Sequence, residues 1–277
     1  QKTGWPEAVL DLSRLGGKTR GVAPRPDGSL WIGAVTTLTE IRQNPVVRSR
    51  FPALATTVSR IGSPAVRAWG TIGGNICRLS GCAVPTLLAL DATLTIWDGS
   101  GFSELPLLQW LASRSTECHR GILVGLALPP PPTHVAAEKI GLRQGFAPSV
   151  VGIAAAMRSG TDRQISAARL CVGAGVKPAR LTSAESWLTG RRFDDVASHD
   201  LRDRLVGEIV AEDDEHRSGR YKRMAAANAL LCALGIKADQ PRSRPRYAIP
   251  SFRTPVFPQN LVSRSASPSW PVRPDIE

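Results

Sequence analysis

The residues with the clearest chemical potential lie between Gly70 and Cys82, in the run GTIGGNICRLSGC. Gly73 and Gly74 carry no Cβ, so they can take left-handed or otherwise barred dihedrals and let another group approach the backbone. Consecutive amides in such a turn can point one way and form a concave donor nest for phosphate oxygens. Thr71 adds a hydroxyl, and Asn75 offers both an amide donor and a carbonyl acceptor. The run is not the Rossmann fingerprint, because the GxGxxG spacing is absent. A plain Gly-Gly turn between two strands is the competing reading of the same residues.

The other candidates for chemistry are cysteines and histidines. Cys77, Cys82, Cys118, Cys171 and Cys232 form an odd set with no CxxC spacing. Cys77 and Cys82 are close, but no His or further Cys completes a metal tetrad nearby, so no metal site is expected in this chain. His119, His134, His199 and His216 are spread out and form no HExxH. The cysteines read as reduced, cytoplasmic and mostly core-filling. Cys118 and His119 are adjacent, but nucleophile and base are brought together in space rather than by adjacency, and no catalytic residue is assigned.

These residues must be positioned by a chain of 277 residues, enough for two compact domains and a sizeable core. A composition of 42% hydrophobic and 21% charged residues is that of a globular protein. No uninterrupted apolar run approaches the roughly 18 residues that a membrane span needs. The net charge of +12 would suit nucleic acid, an anionic membrane surface or an acidic partner. The basic residues are scattered and form no stripe with interleaved aromatics, which argues against nucleic acid and for a solvated, Arg-rich surface.

Along the chain, AVLDL (Ala8 to Leu12) reads as a strand, followed by a Gly/Arg/Pro-rich loop. SLWIGAVTTL (Ser29 to Leu38) reads as a strand and its turn, with Thr39 capping a short helix. Val46, Val47, Phe51, Leu54 and Val58 recur at mostly three- and four-residue spacings, so that segment is predicted as a helix interrupted at Pro52. Thr86 to Leu90 gives a short helix or turn, with a strand ending at Trp97. ELPLLQWLA reads as a short helix, and Gly121 to Pro129 as a continuous apolar strand. Pro129 to Pro132 cannot continue a ladder, and the main domain break is placed there. Beyond it, EKIGLRQ, SVVGIAAAMRS and ISAARLCVGAGVKP predict a small antiparallel sheet. Two helices would cover it, one from SAESWLTG and one carrying Met224, Ala227, Leu230, Leu231 and Leu234 on one face. The Pro-, Ser- and Arg-rich stretch from Lys237 reads as an extended arm or disorder.

In this order the motifs resemble one family. GTIGGN, preceded by WIGAVTTLTEI and IGSPAVRAW and followed by LLALDATL, GILVGLALP, EKIGLRQ, CVGAGVKPARL and SGRYKRMAAANALL, is similar to the FAD-binding (medium) subunit or domain of the xanthine dehydrogenase and carbon monoxide dehydrogenase group, the molybdenum hydroxylases. The similarity runs from about Trp5 to Gly235. It implies an α+β fold: an FAD-binding α/β subdomain of the vanillyl-alcohol-oxidase-like (PCMH) type, then a small domain of antiparallel sheet and helices. The domains would be a remnant of the first FAD-binding subdomain at 1–28, the second subdomain at 29–132, the C-terminal flavoprotein domain at 133–236 and a tail at 237–277. The cofactor implied is FAD, contacted by Thr71, Ile72, Gly73, Gly74 and Asn75, by Leu123 and by Lys139. Arg67 would serve a phosphate or a structural carboxylate.

The same resemblance implies an oxidoreductase subunit working with a molybdenum-cofactor large subunit and a 2Fe-2S small subunit. Electrons from the clusters would pass through FAD to NAD⁺, oxygen or a quinone, with the molybdenum and iron–sulfur centres in the partners. Two departures shape a second reading. Family members carry an earlier AGG-type segment before the strand matching AVLDL, which here would fall upstream of Gln1. Cys82 stands where a loop Asp is expected, and a thiol is a weak substitute for a carboxylate acceptor. The alternative is therefore a structural subunit of the same kind of complex that has lost FAD.

Overall fold

Prolines set the helix boundaries of the first half. The computed structural model describes residues 8–78, 80–113, 121–142 and 147–236. The chain enters a short strand β1 (Val22–Pro24) and turns into β2 (Leu30–Gly33). Thr37 then starts α1 (Leu38–Gln43) with a capping box in which it accepts from the Glu40 amide while the Glu40 carboxylate accepts from the Thr37 amide. The cap thus falls two residues before the predicted Thr39. The following apolar periodicity is divided into α2 (Pro45–Arg50) and α3 (Pro52–Ser59), because Pro52 has no amide to continue the first helix and its fixed φ suits the start of the second. Next come α4 (Pro64–Trp69), α5 (Ile72–Cys77) and α6 (Val84–Ala89).

β3 (Thr93–Trp97), β4 (Phe102–Pro106), α7 (Leu107–Ser113) and β5 (Ile122–Leu128) complete the first layer, a sheet ordered β1-β2-β5-β3-β4 with antiparallel neighbours. β4 occupies the start of the segment predicted as helix. Its pairing of Glu104 with Thr95 and Leu105 with Leu94 comes from across the hairpin, which local periodicity does not register. The predicted strand at Ala8 to Leu12 does not form. Those residues pair with no strand, and Val9 and Leu10 stay 82% and 74% exposed.

The second sheet is an antiparallel meander of β6 (His134–Gly141), β7 (Ser149–Ser159), β8 (Ile165–Gly173) and β9 (Ala179–Arg180). β7 is buried on both faces, which is why its sequence runs apolar without alternation. Ala154 and Ala156 face the core that includes Leu54, Leu87 and Leu126, while Val151, Ile153 and Ala155 face the C-terminal helices. Those helices are α8 (Thr182–Leu188), α9 (Ser198–Glu208) and α10 (Gly219–Leu234). On α10, Ala227, Leu230, Leu231 and Leu234 are buried as predicted, whereas Met224 is 37% exposed. Only Cys171 is a fully buried cysteine among those described; Cys77 and Cys232 are exposed. Cys118, His119 and the tail from Lys237 lie outside the described residues. Among the described residues no helix is long and apolar enough to cross a membrane, and no three metal-ligating side chains gather.

One buried ion pair fastens the second layer. Glu185 of α8 takes the Leu170 amide at 2.8 Å and both arms of Arg180, at 3.1 and 2.6 Å. Truncation in Glu185→Ala strands a half-buried guanidinium and an unsatisfied amide, so it is expected to lower unfolding free energy by about 3 kcal/mol. Glu185→Gln keeps an acceptor and is expected to lose less. Urea titration of both variants checks this, and equal losses would contradict it.

Candidate functional site

The exit of β2 is where three stretches of backbone meet. Ala34 donates to the Val124 carbonyl at 2.9 Å, and its own carbonyl accepts from Gly73 at 2.8 Å. The Val35 amide reaches the Thr19 carbonyl at 2.9 Å, and the Ile72 amide reaches the Thr36 carbonyl at 3.0 Å. Such crowding tolerates no side chain at the contact. A Cβ on Gly73 would sit 2.8 Å from both the Cβ and the carbonyl oxygen of Ala34. The buried Thr36 hydroxyl accepts from the Gly21 amide at 2.8 Å and donates to the Gly21 carbonyl at 3.1 Å, which holds residues 17–21 against the strand.

Gly73 and Gly74 are the second and third residues of the right-handed helix α5, not a left-handed turn between strands. Thr71 is its N-cap, and its Oγ1 accepts from the Gly74 amide at 3.1 Å. The amides of Ile72, Gly73 and Gly74 are therefore bonded to Thr36, Ala34 and Thr71, and the predicted nest of outward-pointing amides is not formed. The two glycines serve differently: Gly73 permits close approach, and the exposed Gly74 leaves open space in front of the helix.

That space is a cavity of about 740 Å³. Of the predicted site residues it brings together Thr71, Gly73, Gly74 and Leu123. Ile72 points into the core and is fully buried. Asn75 turns away: its Oδ1 accepts from the Ala83 amide at 2.9 Å and so folds the following loop back on α5. Lys139 lies outside the lining, with its Nζ donating to the carbonyls of Ala147 at 2.8 Å and Arg60 at 3.2 Å. Arg67 Nη1 donates to the carbonyls of Ile61 and Gly62, at 3.0 and 2.7 Å, and pins α4. Cys82 is also away from the cavity, 3.1 Å from the Ser149 hydroxyl of β7.

The sequence reading assigned no site role to Arg20 or Trp69, both of which line the cavity. Among the described residues Arg20 is the only charged side chain in the lining, set in a Gly-rich loop with no periodic pattern to mark it. Its Nε and Nη2 both donate to Glu40 Oε1, at 3.1 and 3.0 Å. Burial opposes the charged form of Glu40, yet the Thr37 amide and hydroxyl and the Arg20 guanidinium together hold its carboxyl below the ordinary glutamate range. The pair therefore persists above the ordinary glutamate pKa and is lost only as pH falls through the lowered one. Nη1 of Arg20 has no partner among the described residues. Thr71 accepts through its oxygen and keeps its hydroxyl proton for an outside acceptor. The hydroxyls of Thr37 and Ser13 are already committed, to Glu40 and Asp11. The walls are apolar, with Leu12, Val35, Ile122 and Leu123. Between Glu40 and Asp91 the chain has no carboxylate but carries Arg42, Arg48, Arg50, Arg60, Arg67 and Arg78, so the field over this layer favours anions.

An apolar cavity with a positioned cation and a glycine-built floor, set between helices and sheet, suits a small anionic molecule with an apolar body. Residues 2–131 match the FAD binding domain in molybdopterin dehydrogenase, and residues 136–235 match the CO dehydrogenase flavoprotein C-terminal domain. The chain belongs to the family of FAD-binding medium subunits of the molybdenum hydroxylases. It is 33% identical over 186 residues to the xanthine dehydrogenase FAD-binding subunit of Escherichia coli O157:H7, covering 64% of this chain and 63% of that protein. It is 28% identical to the nicotinate dehydrogenase FAD-subunit of Eubacterium barkeri, covering 67% of this chain and 65% of that one. The chain thus spans under two thirds of these relatives' length. The fold is shared with quinoline 2-oxidoreductase from Pseudomonas putida 86, at a TM-score of 0.68 and 22% identity over 79% of each chain.

The glycine geometry predicts a contrast. Gly73→Ala forces a methyl onto Ala34 and is expected to cost about 1–3 kcal/mol of stability. In Gly74→Ala the added Cβ meets only the Thr71 oxygen, at 3.2 Å. There the gain in helix propensity, roughly 0.5–1 kcal/mol, offsets the contact. Gly74→Ala should therefore unfold within about 0.5 kcal/mol of wild type. Chemical denaturation of the two variants side by side decides it, and a Gly73→Ala protein as stable as wild type would refute the close-packing account.

Proposed function

We propose that this chain is the FAD-binding electron-transfer subunit of a molybdenum hydroxylase complex. It would take electrons from iron–sulfur clusters in a small subunit, themselves supplied by a molybdenum-bearing large subunit, and pass them to an acceptor such as NAD⁺. The observation that carries the reading is the Arg20-bearing cavity in front of α5, in a chain whose two halves match an FAD-binding domain and a flavoprotein C-terminal domain. The names of the relatives, each an FAD subunit of a dehydrogenase, support the oxidoreductase role.

The donor set fits the cofactor. FAD joins planar rings to a pyrophosphate, and when bound it supplies the redox chemistry while the protein supplies binding and orientation. Arg20 and the Thr71 hydroxyl can donate to phosphate oxygens. Glu40 orients Arg20 so that little side-chain freedom is lost when an anion arrives. Gly74 would leave room for the cofactor in front of the helix, and Leu123 with Ile122 would shield an apolar part of it from water. Ile72 and Asn75 act from behind, as the core anchor and the loop anchor of the same helix.

Titrating the full chain with FAD, read by quenching of flavin fluorescence, tests this. Arg20→Gln is expected to raise Kd about tenfold or more, since a hydrogen bond to a charged group contributes about 1.5–3 kcal/mol. The salt dependence of binding should flatten in the same variant. Glu40→Gln is the control for simple loss of the ion pair, and it should weaken FAD binding less. Wild-type protein that binds no flavin, alone or with its partners, would overturn the reading and leave an assembly role.

A further inference from the structure

Trp69 is the most exposed large apolar side chain among the described residues, at 86% of its surface. An indole presents about 150–250 Å² of mostly apolar area, which is seldom left in water without a use. Trp69 is not on a loose segment. It ends α4, whose start is capped by Ser63 accepting from the Val66 amide at 3.2 Å. At the other end the Gly70 amide donates to the Val66 carbonyl at 2.7 Å, and the Gly70 carbonyl accepts from Leu38 at 2.9 Å. Arg67 ties the same turn to Ile61 and Gly62. The backbone beneath the ring is thus fixed on both sides while the ring itself is uncovered.

Its neighbours say what would cover it. Trp69 lines the same cavity as Arg20, Thr71 and Gly74, immediately before the helix whose floor they form. A fixed aromatic face next to a positioned guanidinium and a hydroxyl suits a planar heteroaromatic ring joined to an anion. Val66, three residues earlier on α4, is 53% exposed but does not line the cavity. A protein docking on this helix would cover both side chains, whereas a ligand in the cavity would cover Trp69 alone.

We propose that Trp69 is the stacking platform for a planar ring of the bound dinucleotide, either its adenine or its isoalloxazine; this rests on the FAD reading above. The full chain is titrated with FAD, ADP and FMN by calorimetry, as wild type and as Trp69→Ala, Trp69→Phe and Val66→Ser. Trp69→Ala is expected to raise the FAD Kd about tenfold, within the range of base–aromatic stacking. Trp69→Phe should return it to within about threefold of wild type, because a smaller aromatic face remains. Val66→Ser should bind like wild type. A loss shared only with ADP places adenine on the indole, and one shared only with FMN places the isoalloxazine there; either supports the platform. The unfolding midpoint of Trp69→Ala should stay at the wild-type value, since the side chain leaves no hole in the core. FAD binding by Trp69→Ala as tight as that of the wild type overturns the platform alone. Equal weakening by Val66→Ser, a residue outside the lining, overturns it, because the loss would then not be specific to the cavity-facing indole. A wild-type chain that binds none of the three ligands removes the cofactor reading and the platform with it.

Discussion

The contact between the Gly73 amide and the Ala34 carbonyl, 2.8 Å long and possible only without a Cβ, is the constraint on which the site depends. It brings the start of α5 against the end of β2, and Gly33 on the same strand lies equally bare against the backbone of Thr19 and Arg20. Two glycines flanking one turn therefore let three unrelated stretches of chain share a junction. The hydrogen bonds there saturate the backbone, so α5 does not greet a ligand with free amides. What the junction offers is shape, a floor at Gly74 with apolar walls, and recognition falls to side chains carried in from outside it.

Arg20 is one such side chain, and its pairing with Glu40 decides how it works. Both partners are about half exposed, at 50% and 41%, and a pair of that kind contributes little to stability. Its value is positional. Glu40 is itself held by the amide and hydroxyl of Thr37, so the guanidinium is tied through two side chains to the first turn of α1. The arginines of α1 to α5 add a diffuse positive field, but several are spent locally: Arg50 on the Gly28 carbonyl, Arg60 on Glu138 and Arg67 on the 61–62 turn. The distant charge is screened by salt beyond about 8–10 Å, whereas Arg20 acts at contact distance.

Most of the fold was legible in the sequence because its elements are marked by local chemistry. Pro52 separates two helices, Pro129 to Pro132 follow the last strand of the first sheet, and β6 to β8 keep their apolar runs between turn residues. The misses are places where distant partners overrule local rules. Each glycine in α5 disfavours a helix by about 1 kcal/mol, yet the Thr71 cap and the bonds to Thr36 and Ala34 impose one. β4 forms because β3 is there to receive it, and Ala8 to Leu12 has no strand partner among the described residues. Arg20 was illegible because a single arginine in a glycine-rich loop has no spacing to read; what fixes the loop are contacts from distant residues, among them the Thr36–Gly21 and Val35–Thr19 bonds.

The run from Thr71 to Cys82 also connects the cavity to the second sheet. Thr71, Gly73 and Gly74 face the cavity; Asn75 accepts from Ala83 and sets the start of α6; Cys82 meets Ser149 at the edge of β7. α6 lies directly on the second sheet, where a Cβ on Gly173 of β8 would come within 3.1 Å of Pro85. Lys139 adds a further tie by joining the β6–β7 connection to the end of α3. A shift of α5 when a ligand enters would therefore be resisted by the second sheet through α6, since packed cores do not deform continuously. The predicted residues that turn away from the cavity, Asn75 and Lys139, thus belong to the frame that keeps its floor in place.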